Sequence, residues 1–272
     1  MKNMTAIEQI RLSDEAIKYD THFHNSYEMI LVMSGMVRIC FNRGKVYEAK
    51  PGSLIFISNL EEHSTKVLEE PYKRYFINLF PPDFDKLIGE PQLLSVFKNR
   101  PPSFCHVFDI SAISKKVIKI FSSLYSESHS RNEFSAKMTD CLLFELLVSV
   151  YRNNRESFPA PSESIPSQIY SVQKYIENNF RQPISLKDLA ERHFISMSHL
   201  SHNFKRLTGY SPMQYVQLNR LSYSRNMLSS TDLPVSEVAY RSGFADVNNF
   251  IRKFKSYHGY TPGNVRKVRR SD

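Results

Sequence analysis

Cysteine is scarce and scattered: Cys40, Cys105 and Cys141 are the only three in 272 residues. An odd number without CxxC spacing excludes a disulfide framework and a thiolate zinc site, and reads as buried thiols in a reducing compartment. No apolar run approaches the roughly 18–20 residues that a membrane span needs. Residues 1–16, MKNMTAIEQIRLSDEA, lack the apolar segment of a signal peptide. No P-loop, dinucleotide-binding fingerprint, nucleophile–base pairing or lipidation signal is recognisable. These absences predict a cytoplasmic chain that is not an enzyme, has no membrane partner and needs no cofactor. With 41% hydrophobic and 23% charged residues the composition is globular, and the length allows two domains with proper cores.

What the chain does contain is a repeat. Ser196–Pro212, SMSHLSHNFKRLTGYSP, returns fifty residues on as Asp246–Pro262, DVNNFIRKFKSYHGYTP. Leu200/Phe250, Phe204/Phe254, Lys205/Lys255, Gly209/Gly259, Tyr210/Tyr260 and Pro212/Pro262 hold the register. Ser196 and Asp246 suit an N-cap, Gly209 and Gly259 the left-handed position after a helix, and Ser211-Pro212 and Thr261-Pro262 the start of another. A shorter helix precedes each copy, SLKDLAERH from Ser185 and PVSEVAYRS from Pro234, here at an offset of 49. The extra residue falls in the turn, where Ser242-Gly243-Phe244 replaces His193-Phe194. Short helix, tight turn and capped helix make a helix-turn-helix outline. Spacing puts Leu200, Phe204 and Leu207 inward in the first copy, and Phe250, Phe254 and Tyr257 in the second. Exposed positions near each N-terminal end reach base edges: Ser198, Ser201 and His202, then Asn248, Ile251 and Arg252. Lys205, Arg206 and Lys255 fall where phosphate is held.

Charge agrees. From Ile165 to Asp272 there are 16 Lys+Arg against 7 Asp+Glu, whereas residues 1–164 hold 20 of each. The whole excess of +9 therefore lies in the segment with the repeat, the electrostatic footprint of a double-stranded DNA partner.

The first half has another period. Met29–Met33, Met36–Asn42, Lys45–Ala49, Leu54–Ser58 and Tyr72–Phe80 are short β-branched or aromatic runs. Gly35, Arg43-Gly44 and Pro51-Gly52 punctuate them, which predicts an antiparallel barrel or sandwich. Within it His22-x-His24-(x)3-Glu28-(x)6-Gly35 resembles the first motif of the cupin superfamily, with His63 as the fourth member. Alternation along one strand would point His22 and His24 to one face. The set reads first as the wall of a small-molecule pocket with Arg38, and Tyr27 and Phe41 are compatible with it. The second reading is a ligand set for zinc, manganese or iron. The second cupin motif is only partly matched, and no glycine precedes His22 where one is expected. Residues 111–154 then turn helical. CLLFELLVSVY is apolar nearly all round and must be covered on both sides, as core or as a homodimer seam. ESFPAPSESIP, Glu156–Pro166, is a linker, and Pro212–Met227 a helix joining the two repeat units.

The C-terminal hundred residues resemble the DNA-binding domain of the AraC/XylS family of bacterial transcription regulators. Leu189-Ala190, Ser196, Phe204-Lys205, Gly209, Arg220-Leu221, Leu228, Thr231-Asp232, Glu237-Val238-Ala239, Gly243-Phe244, Asp246, Phe250, Phe254-Lys255, Gly259 and Thr261-Pro262 carry the resemblance. Ser224 stands where the family usually has Ala, and Val265 precedes Arg266 where Tyr is usual. The resemblance implies an α+β chain of two domains. A cupin-like effector barrel takes residues 1–110, dimerisation helices 111–155, a linker 156–166, and a double helix-turn-helix domain 167–272. It also implies a sequence-specific regulator, often an activator of sugar-utilisation genes, that answers to a small-molecule effector and works with RNA polymerase. A metal-dependent cupin enzyme tethered to DNA, or a DNA-bending protein of little sequence preference, would be the competing functions.

Overall fold

Alternation of side chains along strands decides the first unit, and the 3.6-residue period decides the second. The computed structural model describes residues 6–14, 19–24, 26–41, 44–98, 100–101, 103–130, 132–160 and 167–269. The chain divides into two units, residues 1–162 and 163–272. Expectations that fall on Arg43, on residues 161–166 of the linker, and on the side chains of Leu207 and Arg266 lie outside the described residues.

The first unit holds β1 (Ile7–Ser13), β2 (Tyr19–His22), β3 (Tyr27–Phe41), β4 (Val46–Ala49), β5 (Ser53–Ile57), β6 (His63–Leu79) and β7 (Val107–Asp109). They form one antiparallel sheet of order β1-β6-β3-β5-β7, with β2 on β6 and β4 on β3. Gly35 does not end a strand as expected. β3 runs through it, paired with β6 from Tyr27 opposite Leu79 to Phe41 opposite His63, with irregular register between Val32 and Val37. Gly35 sits in that irregularity at φ 70°, where a Cβ would stand 2.4 Å from the Glu69 carbonyl oxygen. It is a bulge glycine, bending the long strand instead of reversing it.

One face of the sheet gathers Ile30, Val32, Val37, Ile39, Phe41, Ala49, Ile55, Ile57 and Tyr72 into a single core. Both halves of β3 contribute, so the sheet rolls with this face inside and makes the expected barrel. The other face, with Tyr27, Met29, Leu31, Phe56, Tyr75 and Ile77, lies under helices. These include α1 (Pro81–Ile88), α2 (Pro91–Leu94), α3 (Ser114–His129) and α4 (Ser135–Asn153). Val117, Ile120, Phe121 and Leu124 of α3 and Leu143, Leu146, Leu147 and Val150 of α4 are buried against it. The opposite side of α4 leaves Met138, Cys141 and Phe144 exposed, so CLLFELLVSVY is covered on one side only.

Two further expectations are corrected in this unit. Phe158, read as linker, is buried with its ring 5.6 Å from Phe108 and 5.0 Å from Tyr151, so the barrel unit reaches past residue 156. An aromatic amid prolines and serines found a core to enter. The cysteines are free, but Cys105 and Cys141 are exposed and Cys40 half-buried, because they fall on a loop, the uncovered side of α4 and the outer face of β3.

The second unit is α5 (Ser167–Asn179), α6 (Leu186–Arg192), α7 (Met197–Thr208), α8 (Pro212–Ser230), α9 (Val235–Arg241), α10 (Val247–His258) and α11 (Pro262–Arg269). The sequence punctuation holds atom by atom. The side chains of Ser185, Ser196 and Asp246 accept from the amides of Asp188, His199 and Asn249, each such cap being worth about 1 kcal/mol. Gly209 and Gly259 close α7 and α10 at φ 85° and 76°. Ser211 and Gln214 form a reciprocal capping box at the start of α8.

Nineteen residues make α8 about 28 Å long, and it serves both helix-turn-helix units. Tyr215 packs 5.3 Å from Phe204, while Leu221 and Leu228 enter the core of Val238, Phe250 and Phe254. Arg220 donates from Nε to the Phe180 carbonyl (2.6 Å) and from Nη2 to the Gln182 carbonyl (2.8 Å), satisfying carbonyls just past the end of α5. Ser224 is buried with its hydroxyl on the Leu221 carbonyl (2.7 Å), and Val265 lies in the second core. Both departures from the family pattern are packing positions. Tyr257 does not go inward; it is 37% exposed. The helix stops at His258, and Tyr260 beyond the glycine turns back, 6.2 Å from Phe254, to fill that place.

Candidate functional site

Leu200 and Phe204 anchor α7, and Phe250 and Phe254 anchor α10; all four are fully buried, each worth about 1.5–3 kcal/mol. Those anchors fix which side of each helix faces outward. Ser198, His202, Lys205 and Arg206 are exposed on α7 and Ser201 is half-buried. On α10, Asn248, Arg252 and Lys255 are exposed. Arg252 Nη2 donates to Asn249 Oδ1 at 3.2 Å, which steadies the guanidinium without burying it. Ile251 is half-buried against the second core, so only its outer edge is available to a ligand. Sequence reasoning missed Asn203, which is buried with Nδ2 on the His199 carbonyl (3.0 Å) and belongs to the scaffold of α7.

The barrel site takes its shape from the roll of the sheet. Glu28 lies at one end of β3, and His63 pairs with Phe41 at the other, about 40 Å away along a straight strand. Yet Glu28 Oε2 is 3.5 Å from His63 Nε2 and 3.0 Å from His24 Nε2. His22, at the end of β2, brings its ring centroid within 4.3 Å of His63 and 6.2 Å of His24. His24 is not on the same strand. It lies beyond β2, with Nδ1 donating to the Ser26 carbonyl at 3.0 Å. Burial pushes the Glu28 carboxyl up, but hydrogen bonds and charge from His24 and His63 outweigh it and hold the group well below the usual carboxylate range. Burial likewise disfavours a charged His63, and the Glu28 contact reverses that, leaving its pKa raised.

Two residues expected with this set lie elsewhere. Arg38 points outward and pairs with Glu48 at 2.5 Å, its side chain 43% exposed, because Val37 and Ile39 on either side of it take the inner face. Tyr27 faces the helix side, stacked 4.5 Å from Phe97. Phe41 does line the interior, stacked 3.8 Å from His106.

A second buried network adjoins the first. His63 Nδ1 donates to the Glu61 carbonyl (2.9 Å), while the Glu61 carboxylate receives Arg100 Nη2 (2.5 Å) and His106 Nε2 (2.9 Å). Burial would raise the Glu61 pKa, but Arg100 and His106 outweigh it and the group is lowered. Burial lowers His106 despite its contact with Glu61. On the interior face of β6 stand Thr65, Arg74 and Asn78, opposite Ile39, Val32 and Glu28. The Arg74 guanidinium is buried over the rings of Tyr72 and Phe76 at 5.4 and 5.5 Å. Thr65 Oγ1 and Asn78 Oδ1 are buried without a hydrogen-bond partner among the described residues. Arg74 and Asn78 alternate within Tyr72–Phe80, a run the sequence does mark, whereas Thr65 falls in residues 59–71, where no apolar run marks a strand.

Comparison with known proteins agrees with both halves. The AraC-like ligand binding domain matches residues 5–147, more than half the chain, and a helix-turn-helix domain matches residues 189–268. The chain belongs to the AraC/XylS family. It is a regulator of transcription that joins a ligand-binding domain to a DNA-binding one. Among its relatives, the HTH-type transcriptional activator RhaS of Enterobacter sp. (strain 638) is 24% identical over 252 residues, covering 92% of this chain and 88% of the relative. RhaS of Mannheimia succiniciproducens is 25% identical over 250 residues, covering 91% and 89%. ToxT from Vibrio cholerae O395 bound to (E)-4-(8-methylnaphthalen-1-yl)but-3-enoic acid shares the fold at TM-score 0.67 and 14% identity, over 96% of this AraC/XylS chain and 98% of ToxT. ToxT bound to an unsaturated fatty acid aligns at TM-score 0.63 and 12% identity, over 97% and 96%. Among the described residues no helix is long and apolar enough to cross a membrane.

Proposed function

We propose that this chain is an effector-responsive transcription activator, not an enzyme, acting in the cytoplasm. It sets α7 and α10 into successive major-groove segments of one DNA site and works on RNA polymerase bound nearby. The observation that carries this reading is the pair of recognition helices, capped and anchored alike, on the unit that holds the entire positive excess. Base edges fall to Ser198, Ser201, His202, Asn248, Arg252 and the outer edge of Ile251, and phosphates to Lys205, Arg206 and Lys255. The curated relatives are activators by name, which supports the same sign here.

The effector belongs inside the barrel, against Thr65, Asn78 and the His22, His24, Glu28 and His63 set. Hydroxyl and amide groups with spare hydrogen-bonding capacity suit a small polyol or sugar, the effector class that the family resemblance implies. The uncovered side of α4 forms the homodimer seam. It lines a groove of about 570 Å³ that includes Leu87, Cys141, Phe144 and Val148. Binding-site selection on random DNA with the full chain, at stated salt, tests the central reading. A defined motif is expected; equal retention of all sequences would make the protein an architectural one instead.

A further inference from the structure

The two helix-turn-helix units share α8 but not their anchors: Tyr215 packs on Phe204, while Leu221 and Leu228 serve Phe250 and Phe254. A single helix is a yielding joint. Helices curve with radii of about 60–100 Å, which over the length of α8 allows about 16–27° between its ends. One base pair of spacing turns a DNA segment by about 35° and moves it by about 3.4 Å. Bending of α8 alone would therefore absorb much of a one-base-pair change in the gap between two half-sites.

A second connection runs along one stripe of α8. Gln217, Arg220 and Tyr223 follow at intervals of three, so they share a face of the helix. Arg220 grips the loop after α5 through the carbonyls of Phe180 and Gln182, at 2.6 and 2.8 Å. Tyr223 backs the same loop, its ring 5.5 Å from that of Phe180 and 5.6 Å from the Arg181 guanidinium. The loop belongs to the first unit, since α5 packs on α7. Its backbone nevertheless meets the turn of the second. A Cβ on Gly243 would stand 2.7 Å from the Arg181 carbonyl oxygen and 2.9 Å from Arg181 Cα. Gln217 accepts from Lys253 Nζ, which ties α10 to the same stripe.

We infer that this bridge is a strut fixing the angle between α7 and α10, with Arg220 the positioning residue that sets the half-site spacing the protein accepts. Arg220 acts through the loop and not on a base. A guanidinium fork holding two carbonyls restrains rotation as one bond cannot. The inference rests on the reading that α7 and α10 engage one DNA site.

The test takes the site selected by the full chain and measures affinity, at fixed salt, for duplexes with the gap between half-sites lengthened or shortened by one base pair. The parent should lose at least about tenfold on either change. Arg220→Met keeps an apolar stem and leaves the loop carbonyls to water. It should bind the parent site more weakly, but its loss on changing the gap should shrink below about threefold. Lys205→Ala, the control, should weaken all three duplexes alike and keep the parent's ratio. Tyr223→Leu should narrow the ratio too, and decides the matter if Arg220→Met fails to fold by circular dichroism. A folded Arg220→Met protein that weakens on every duplex in the parent's ratio overturns the strut. So does a parent that tolerates either change of gap. A selected site with one specified block instead of two would overturn the reading of paired helices as well.

Discussion

Phe194 and Gly243 occupy the same left-handed position in the turns of the two helix-turn-helix units, at φ 55° and 88°. In each, the next amide reaches back to the preceding helix, Ile195 to the Ala190 carbonyl and Phe244 to the Ala239 carbonyl, both at 3.0 Å. The two turns are thus identical through residues 195 and 244. The extra residue of the second repeat is Ala245, just before the Asp246 cap, and not within the turn itself.

That equivalence predicts opposite responses to exchange. A Cβ on Gly243 would stand 2.7 Å from the Arg181 carbonyl oxygen, in a conformation L-residues avoid. Gly243→Ala should therefore destabilise the second unit by about 1–3 kcal/mol. Phe194 is 95% exposed and carries the left-handed cost without recovering it in burial. Phe194→Gly should raise stability by about 0.5–1 kcal/mol. Urea midpoints of the two variants measure both, and a stabilised Gly243→Ala would refute the account.

His258 gives the second unit a pH dependence. Burial, then the Arg225 charge, pulls its pKa down to about 4, with Phe254 and Tyr260 rings 4.3 and 5.9 Å away. An unfolded histidine titrates near about 6.5. Between those values the unfolded chain takes up a proton that the folded one refuses. This contribution to stability is complete above about pH 6.5 and is lost as pH falls towards 4. The loss should be about 1–3 kcal/mol for a group so largely buried. Thermal melting from pH 7 to 4.5 measures it, and His258→Gln should flatten that slope; an unchanged slope would assign it to other groups.

Legibility followed the range of the forces involved. The caps Ser196 and Asp246 and the terminators Gly209 and Gly259 act within a few residues, so a local reading places them correctly. The first half of β6 has no such signal. Lys66, Glu69, Glu70 and Pro71 lie between the apolar runs Leu54–Ser58 and Tyr72–Phe80, and are strand because Met36–Phe41 of β3 offers a partner about thirty residues away in sequence. The histidine motif was visible, but the strand alternation invoked for it was not the cause. The roll of β3 and β6 brings Glu28 to His63, and that roll depends on the bulge at Gly35. Arg38 was misplaced for the same reason, since the register of a bent strand cannot be counted through its bulge.

Assembly should depend on the uncovered side of α4. Phe134 is 69% exposed, and Met138 and Phe144 continue the same apolar surface. The dimerisation reading requires that surface to be buried by a second copy. Phe144→Lys, with Leu143, Leu146 and Leu147 left to hold the core, should shift sedimentation from dimer to monomer at micromolar concentration without lowering the melting temperature of the barrel. A parent chain that sediments as a monomer would remove this face from the dimer assignment.

Base discrimination should rest on α10 more than on α7. Ser198, Ser201 and His202 present short or neutral groups that tolerate several bases. Asn248 and Arg252 can bond adenine and guanine edges bidentately, and Arg252 is exposed and already steadied by Asn249. Ile251, half-buried, can offer only an edge to a thymine methyl. Lys205 and Lys255 lie a turn further along, in the last turns of their helices, where a cation meets phosphate. Arg252→Ala should cost about 1–3 kcal/mol on the best site and relax preference at one base pair. Lys205→Ala should weaken every sequence alike and reduce the salt slope by about one phosphate. Site selection with the two variants separates these outcomes. If Arg252→Ala keeps the parent motif and loses only salt-sensitive affinity, Arg252 holds phosphate and the reading of bases passes to its neighbours on α10.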